Sequence, residues 1–295
     1  DDDGITNGSL MSADRGKRKR CQVENFAMLL SLHDEHISTL RNKPVAEQCT
    51  RDTSPVFRIK KMLRKIRRVV DFGCGSGNLC LALAACWPEV EFVFVDKNQT
   101  SLELLKNRGQ AAGLSNIEVM QCSMDARNLY ELVDDSNADN SVSGVPGIGN
   151  FDVGIGLHCC GSFSDAVVEL CRYVGAGCLL CPCCNGKMSA DTVREQNSWK
   201  GSVDGFSSRA DGKVRHPYYV YPRSAFFQDV FTENEFLDHI SRCADDGDNY
   251  AAKCLVELDR ALWARTCTSG FSHTFIGKLF PETCTPKHHI IWMLP

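Results

Sequence analysis

The sequence predicts an α/β fold: a mostly parallel, seven-stranded sheet layered with helices and closed by a C-terminal antiparallel hairpin. Three observations predict it. An apolar run, Val69-Val70-Asp71-Phe72, leads into glycines at every second position, Gly73, Gly75 and Gly77, and then into a helical apolar pattern from Leu79 to Ala85. Downstream, short continuous apolar runs alternate with helical patterns, as in βαβ units whose strands are covered on both faces. The chain closes on two further apolar runs, joined by the segment Pro281 to Pro286. Together these describe a Rossmann-like architecture in residues 68–295.

Taken in order, residues 1–14 are polar and glycine-containing and read as a disordered tail. Residues 15–67 form a basic helical region. It opens on Arg15, Lys17, Arg18, Lys19 and Arg20, continues with the helical pattern Val23, Phe26, Ala27, Leu29 and Leu30, and crosses a proline-containing loop at 41–56. It ends on a second basic cluster, Lys60, Lys61, Arg64, Lys65, Arg67 and Arg68. Strands are expected at 68–72, 91–96, 117–122, 151–157 and 177–181, with helices near 78–87, 101–112 and 164–174. Residues 134–150, rich in acids, serines, glycines and Pro146, read as a surface insertion. Residues 189–225 lack a clear period, and a connection of that length inside a domain is often functional. Helices at 233–244 and 250–265 precede the final strands at 271–280 and 288–294.

Hydrophobic content of 43% and charged content of 24% suit a globular chain with a sizeable core. The net charge of −4 carries no global signature of nucleic-acid binding. The 17 cysteines include adjacent pairs and buried-strand positions, which fit a reducing compartment, the cytoplasm or the nucleus, better than a disulfide framework. No run approaches a membrane span and no signal peptide is visible. The chain opens Asp1-Asp2-Asp3-Gly4 without Met, as expected of a piece of a longer chain.

The pattern D-x-G-x-G-x-G at Asp71, Gly73, Gly75 and Gly77 is the first motif of S-adenosylmethionine-dependent class I methyltransferases. The dinucleotide fingerprint does not fit, because Asn78 stands where its third glycine is needed. Asp96, at the end of the second strand, is placed to accept both ribose hydroxyls; the alternative is a solvated turn acid. Asp125 would accept from the adenine amino group, or cap a helix. Asp71 would orient the turn and face the cofactor's ammonium.

The fourth and fifth strands end in Gly156-Leu157-His158-Cys159-Cys160-Gly161 and Cys181-Pro182-Cys183-Cys184-Asn185-Gly186-Lys187. In a parallel sheet these lie side by side. His158 suits a general base or a substrate-orienting role. The cysteines pack, bind zinc or relay a methyl group. Adjacent cysteines are awkward ligand pairs and C-x2-C spacing occurs there only as Cys181–Cys184, so no metal is assigned. The catalytic candidates are His158, Cys183 and Cys184. The two basic clusters read either as solvated faces and an import signal, or as phosphate-binding surface for a polyanionic substrate.

At these strand ends the sequence resembles the methyltransferase domain of glutathione S-transferase C-terminal-domain-containing proteins. More distantly it resembles the tRNA 2′-O-methyltransferases that carry a Cys-His finger. Supporting matches are Arg20 to Asn25, Tyr221-Pro222-Arg223-Ser224, Leu258-Asp259-Arg260 and Pro281 to Lys287; Asn185 and Gly186 stand where the tRNA enzymes tend to carry histidines. The resemblance implies a Rossmann-like class I methyltransferase that uses S-adenosylmethionine, held by Asp71, Gly73, Gly75, Gly77, Asp96 and Asp125. It also implies His158, Cys183 and Cys184 as active-site neighbours. With the basic clusters, the substrate expected is RNA, tRNA among the candidates; the alternatives are a protein or small-molecule methyltransferase, or a methyltransferase-fold binding module without catalysis.

Overall fold

The computed structural model describes residues 14–32, 66–123, 132–133, 147–185, 188, 220–244, 249–266, 270–285 and 289–295. Its centre is a seven-stranded sheet in the order β3-β2-β1-β4-β5-β7-β6. The strands are β1 (Arg68–Phe72), β2 (Glu91–Asp96), β3 (Ile117–Gln121), β4 (Val153–Leu157), β5 (Gly177–Cys181), β6 (His273–Lys278) and β7 (His289–Leu294). The first five pair in parallel, and β7 runs antiparallel to both β5 and β6. Strand order reverses at β1, which pairs with β2 on one side and β4 on the other. That switch opens a crevice beyond the carboxyl ends of the two strands, where ligands of such sheets bind.

Alternation along the strands builds two cores. Val70, Phe72, Val93 and Val95 face α4 (Ser162–Val174), α6 (Tyr250–Thr266) and a π-helical stretch, Glu235–Ser241. Val69, Phe92, Phe94 and Ile155 face α1 (residues 14–32), α2 (Cys80–Cys86) and α3 (Gln99–Ala111). The strands are apolar on both sides because both sides are covered, so the sequence shows runs there and not alternation.

The elements begin and end close to where the apolar pattern places them. Helix α3 starts two residues earlier than expected because Asn98 caps it, accepting the Ser101 amide proton at 3.0 Å. Strand β4 starts later, at Val153, because the Asp152 side chain turns back to accept from the Arg67 and Arg68 amides. The long aperiodic segment ends in a short helix, α5 (Ala225–Gln228), capped by Ser224. Residues 1–13 of the tail, the loop at 41–56 and most of the segments 134–150 and 189–225 lie outside the described residues, while residue 14 opens α1.

Candidate active site

The glycine turn folds over the end of β2: the Gly73 and Cys74 amides both donate to the Val95 carbonyl, at 2.8 and 3.2 Å. Gly73, Gly75 and Gly77 all have left-handed φ, between 54° and 78°, which glycine adopts without steric cost. A Cβ on Gly77 would run into Leu81 and Leu105 at 2.9 Å, so this glycine lets α2 and α3 close on the turn. A Cβ on Gly75 would meet nothing within 4 Å. Gly75 therefore borders open space at the strand switch, which fits a small amino-acid moiety laid against the backbone.

Two acids flank that space. The Asp96 carboxylate accepts from the Gly75 amide through Oδ2 and from the Asn98 amide through Oδ1, each at 2.8 Å. Each oxygen keeps a second lone pair, so the bidentate ribose contact remains available. Asp71 is buried on β1, and the Cys80 thiol donates to it. Burial pushes its pKa up to about 7; the Cys80 hydrogen bond pulls it down and the Asp96 charge raises it. Arg108 of α3 holds the outer edge of the turn, donating to the Ser76 carbonyl and to Asn78 Oδ1. Asp125, the expected adenine contact, lies outside the described residues.

The opposite wall is built by the ends of β4 and β5. His158 has φ 71°, which non-glycine residues seldom adopt. The loop is held in this shape by two cross-strand bonds, His158 N–H to the Cys181 carbonyl and Gly161 N–H to the Cys184 carbonyl, both 2.9 Å. The reversal sorts the cysteines. Cys159 points inward and donates to the Phe72 carbonyl at 3.4 Å, so it is a packing residue. Cys160 points the other way, its Sγ 2.7 Å from Cys183 Sγ, and Cys183 Sγ lies 3.8 Å from Cys184 Sγ. His158 is exposed, and its pKa lies below 6.5 through desolvation, then the nearby charges of Lys19 and Lys253. The neutral ring is the form able to accept a proton near pH 7.

Sequence reasoning missed the scaffold behind this wall. Arg260, 1% exposed, pairs with Asp165 at 3.0 Å and Glu257 at 3.3 Å. It also donates to the Gly161 carbonyl at 3.0 Å and to Asn185 Oδ1 at 3.3 Å, so one side chain ties both cysteine loops together. The Tyr221 hydroxyl donates to Asp165 at 2.6 Å, and Asp259 accepts from the Arg223 and Ser224 amides. Buried Lys253 donates to the Pro182 carbonyl at 3.2 Å. The signal was present in the Tyr-Pro-Arg-Ser and Leu-Asp-Arg motifs, but charged residues on a helix pattern look like solvent-facing ones. Asp165 and Lys253 gave no signal.

The first basic cluster lies on α1 and reaches the site. Lys19 is half-buried, and its pKa is lowered by desolvation, then by the charges of Arg15 and Arg108. Arg15, Lys17, Arg18 and Arg20 are exposed, and Arg20 pairs with Glu24 at 3.3 Å. In the second cluster, Arg68 pairs with Glu91 and Glu118 at the amino end of the strands, away from the crevice. Arg67 adjoins it there, and Lys60, Lys61, Arg64 and Lys65 lie outside the described residues.

A sheet of this order, with a glycine turn after the first strand and an acid after the second, has the Rossmann-like arrangement of S-adenosylmethionine-dependent class I methyltransferases. Residues 69–144 match the family model described as a methyltransferase domain. The chain is similar to a glutathione S-transferase C-terminal domain-containing protein homolog from Drosophila pseudoobscura pseudoobscura, 26% identical over 238 residues, covering 76% of this chain and 32% of that one. It is similar also to the Homo sapiens glutathione S-transferase C-terminal domain-containing protein, 28% identical over 238 residues, covering 77% and 30%. The chain thus spans about a third of the length of these relatives. Among solved structures, PKMT2 from Rickettsia typhi in complex with AdoHcy aligns with a TM-score of 0.31 and 20% identity, covering 45% of this chain and 24% of that one. Among the described residues no helix is long and apolar enough to cross a membrane.

Proposed function

We propose that this chain is an S-adenosylmethionine-dependent methyltransferase acting on RNA, tRNA among the candidate substrates. One arrangement supports the substrate class: Arg108 is hydrogen-bonded to the glycine turn, half-buried Lys19 feels the charges of Arg15 and Arg108, and Lys19 in turn lowers the His158 pKa. Like charges repel, so this concentration costs stability unless a polyanion neutralises it. A phosphate backbone laid over α1 would do so while presenting a nucleotide to the crevice.

Bound S-adenosylmethionine supplies a methyl group on a positively charged sulfur. Asp96 would hold the ribose, Asp71 would face the ammonium, and the open face at Gly75 would take the amino-acid portion. His158 would accept the proton of the acceptor hydroxyl as the oxygen–methyl bond forms and the sulfur–methyl bond breaks, its electron pair going to sulfur. Displacement of this kind depends mostly on alignment. The cross-strand bonds at His158 and Gly161 supply it by fixing the β4 and β5 ends.

The test is transfer from methyl-labelled cofactor into total cellular RNA and total protein, run in parallel. Label is expected in RNA, in the tRNA fraction. Label found in protein alone would sink the RNA reading and keep the enzyme.

A further inference from the structure

Three thiols meet beside the proposed methyl-transfer site. The Sγ atoms of Cys160, Cys183 and Cys184 all lie within 4.8 Å of one another, and all three residues are half-buried. Their spacing in sequence conceals this. The only C-x2-C spacing at these strand ends pairs Cys181 with Cys184, yet Cys181 is a core residue of β5. Because β5 stops at Cys181, Cys183 and Cys184 leave the ladder and need not point apart. The left-handed turn at His158 then brings Cys160 across from β4.

We infer that Cys160, Cys183 and Cys184 form a three-thiolate site for a soft divalent metal ion, zinc by preference. Zinc takes thiolates at about 2.3 Å, which separates tetrahedral ligands by about 3.8 Å. The Cys183–Cys184 separation of 3.8 Å already matches, and the 2.7 Å Cys160–Cys183 contact opens by about 1 Å to admit the ion. The surroundings suit it. Three thiolates on a divalent ion leave one negative charge, and buried Lys253 sits against the Pro182 carbonyl between the strand end and the two ligands. Arg260 braces the residue after each ligand group, through the Gly161 carbonyl and Asn185. Outer-shell bracing of this kind orients metal ligands. The fourth position stays open to water or to an acceptor atom, and the ion pins the β4 end to the β5 end where His158 stands.

The experiment is elemental analysis of the chain purified without chelator or added metal. About one zinc per chain is expected. Cys160→Ser and Cys183→Ser should each lose it, and Cys86→Ser, at an exposed site, should keep it. Cobalt(II) added to the chelator-stripped wild-type chain should give a thiolate-to-metal charge-transfer band; this measurement decides the matter if a serine variant does not fold. Zinc below about a tenth of an equivalent together with no cobalt band overturns the inference, as does a Cys160–Cys183 disulfide in the native mass. None of these readouts depends on methyl transfer, so failure here and failure of the RNA reading are distinguishable.

Discussion

Asp71 and Asp96 are both strand-end carboxylates on either side of one turn, and their surroundings give them different work. Asp96 accepts two backbone amides and stays accessible, so its expected contribution is to ligand binding. Asp96→Ala should weaken S-adenosylmethionine binding roughly ten- to a hundred-fold, the scale of a charged hydrogen bond. Unchanged affinity by calorimetry would remove it from the ribose site. Asp71 is buried, and its folded pKa of about 7 exceeds the ordinary 3.8. Between those values the folded chain holds a proton that the unfolded chain has lost, so stability falls as pH rises from about 4 to about 7. The cost is fully present above pH 7, and Asp71→Asn should flatten the thermal-midpoint profile across that window. A cofactor ammonium facing Asp71 favours the charged carboxylate. Cofactor binding near pH 6.5 should therefore release up to one proton. Calorimetry in two buffers of different ionisation enthalpy measures it, and equal heats would separate Asp71 from the ammonium.

At the scale of the element, β1 to β5 were legible because a strand covered on both faces must be an apolar run, and the two final strands were legible from their proline-bounded connection. The helical stretch around Glu235–Ser241 was legible as helix but not as π-helix, because Phe236, Leu237 and Ile240 keep a spacing that either period accommodates. In the site, residues at strand ends were readable: the glycine turn, Asp96 and His158 stand where a parallel sheet must put them. What escaped was long-range. Arg260 reaches Asp165 across 95 positions, and Cys160 meets Cys183 only because His158 turns left-handed. The first pairing depends on how α4 and α6 dock and the second on a loop reversal, and no local pattern records either. Arg260→Met should show the weight of this docking. Leaving Asp165 and Glu257 buried without their cation costs about 3–5 kcal/mol, readable by urea denaturation. Adding Asp165→Asn should recover part of it, and a single-variant loss under about 1 kcal/mol would demote Arg260 from its bracing role.

At the scale of the whole molecule, a chain of net charge −4 concentrates cations at one place. Helix α1 is fixed there at its other end: Phe26 and Leu30 enter the core, and Asn25 both donates to and accepts from the Phe280 backbone, at 2.6 and 2.9 Å. The basic end of α1 is thus held near His158, so in the proposed RNA reaction one residue, Lys19, would link substrate binding to His158 chemistry. Lys19→Gln should act on both. Loss of one phosphate contact lowers the slope of log affinity against log salt by about 0.7 on single-stranded RNA. Loss of the same charge lets the His158 pKa rise toward 6.5, because Lys19 is one of the causes holding it down. The acidic limb of the kcat/KM profile should then move to higher pH, since the proposed base is the neutral His158 ring. Lys19→Arg should preserve both. A salt slope that changes with no shift of the acidic limb would place Lys19 on the substrate but not beside the base; a shift without a slope change would leave α1 a part of the active site with no RNA contact.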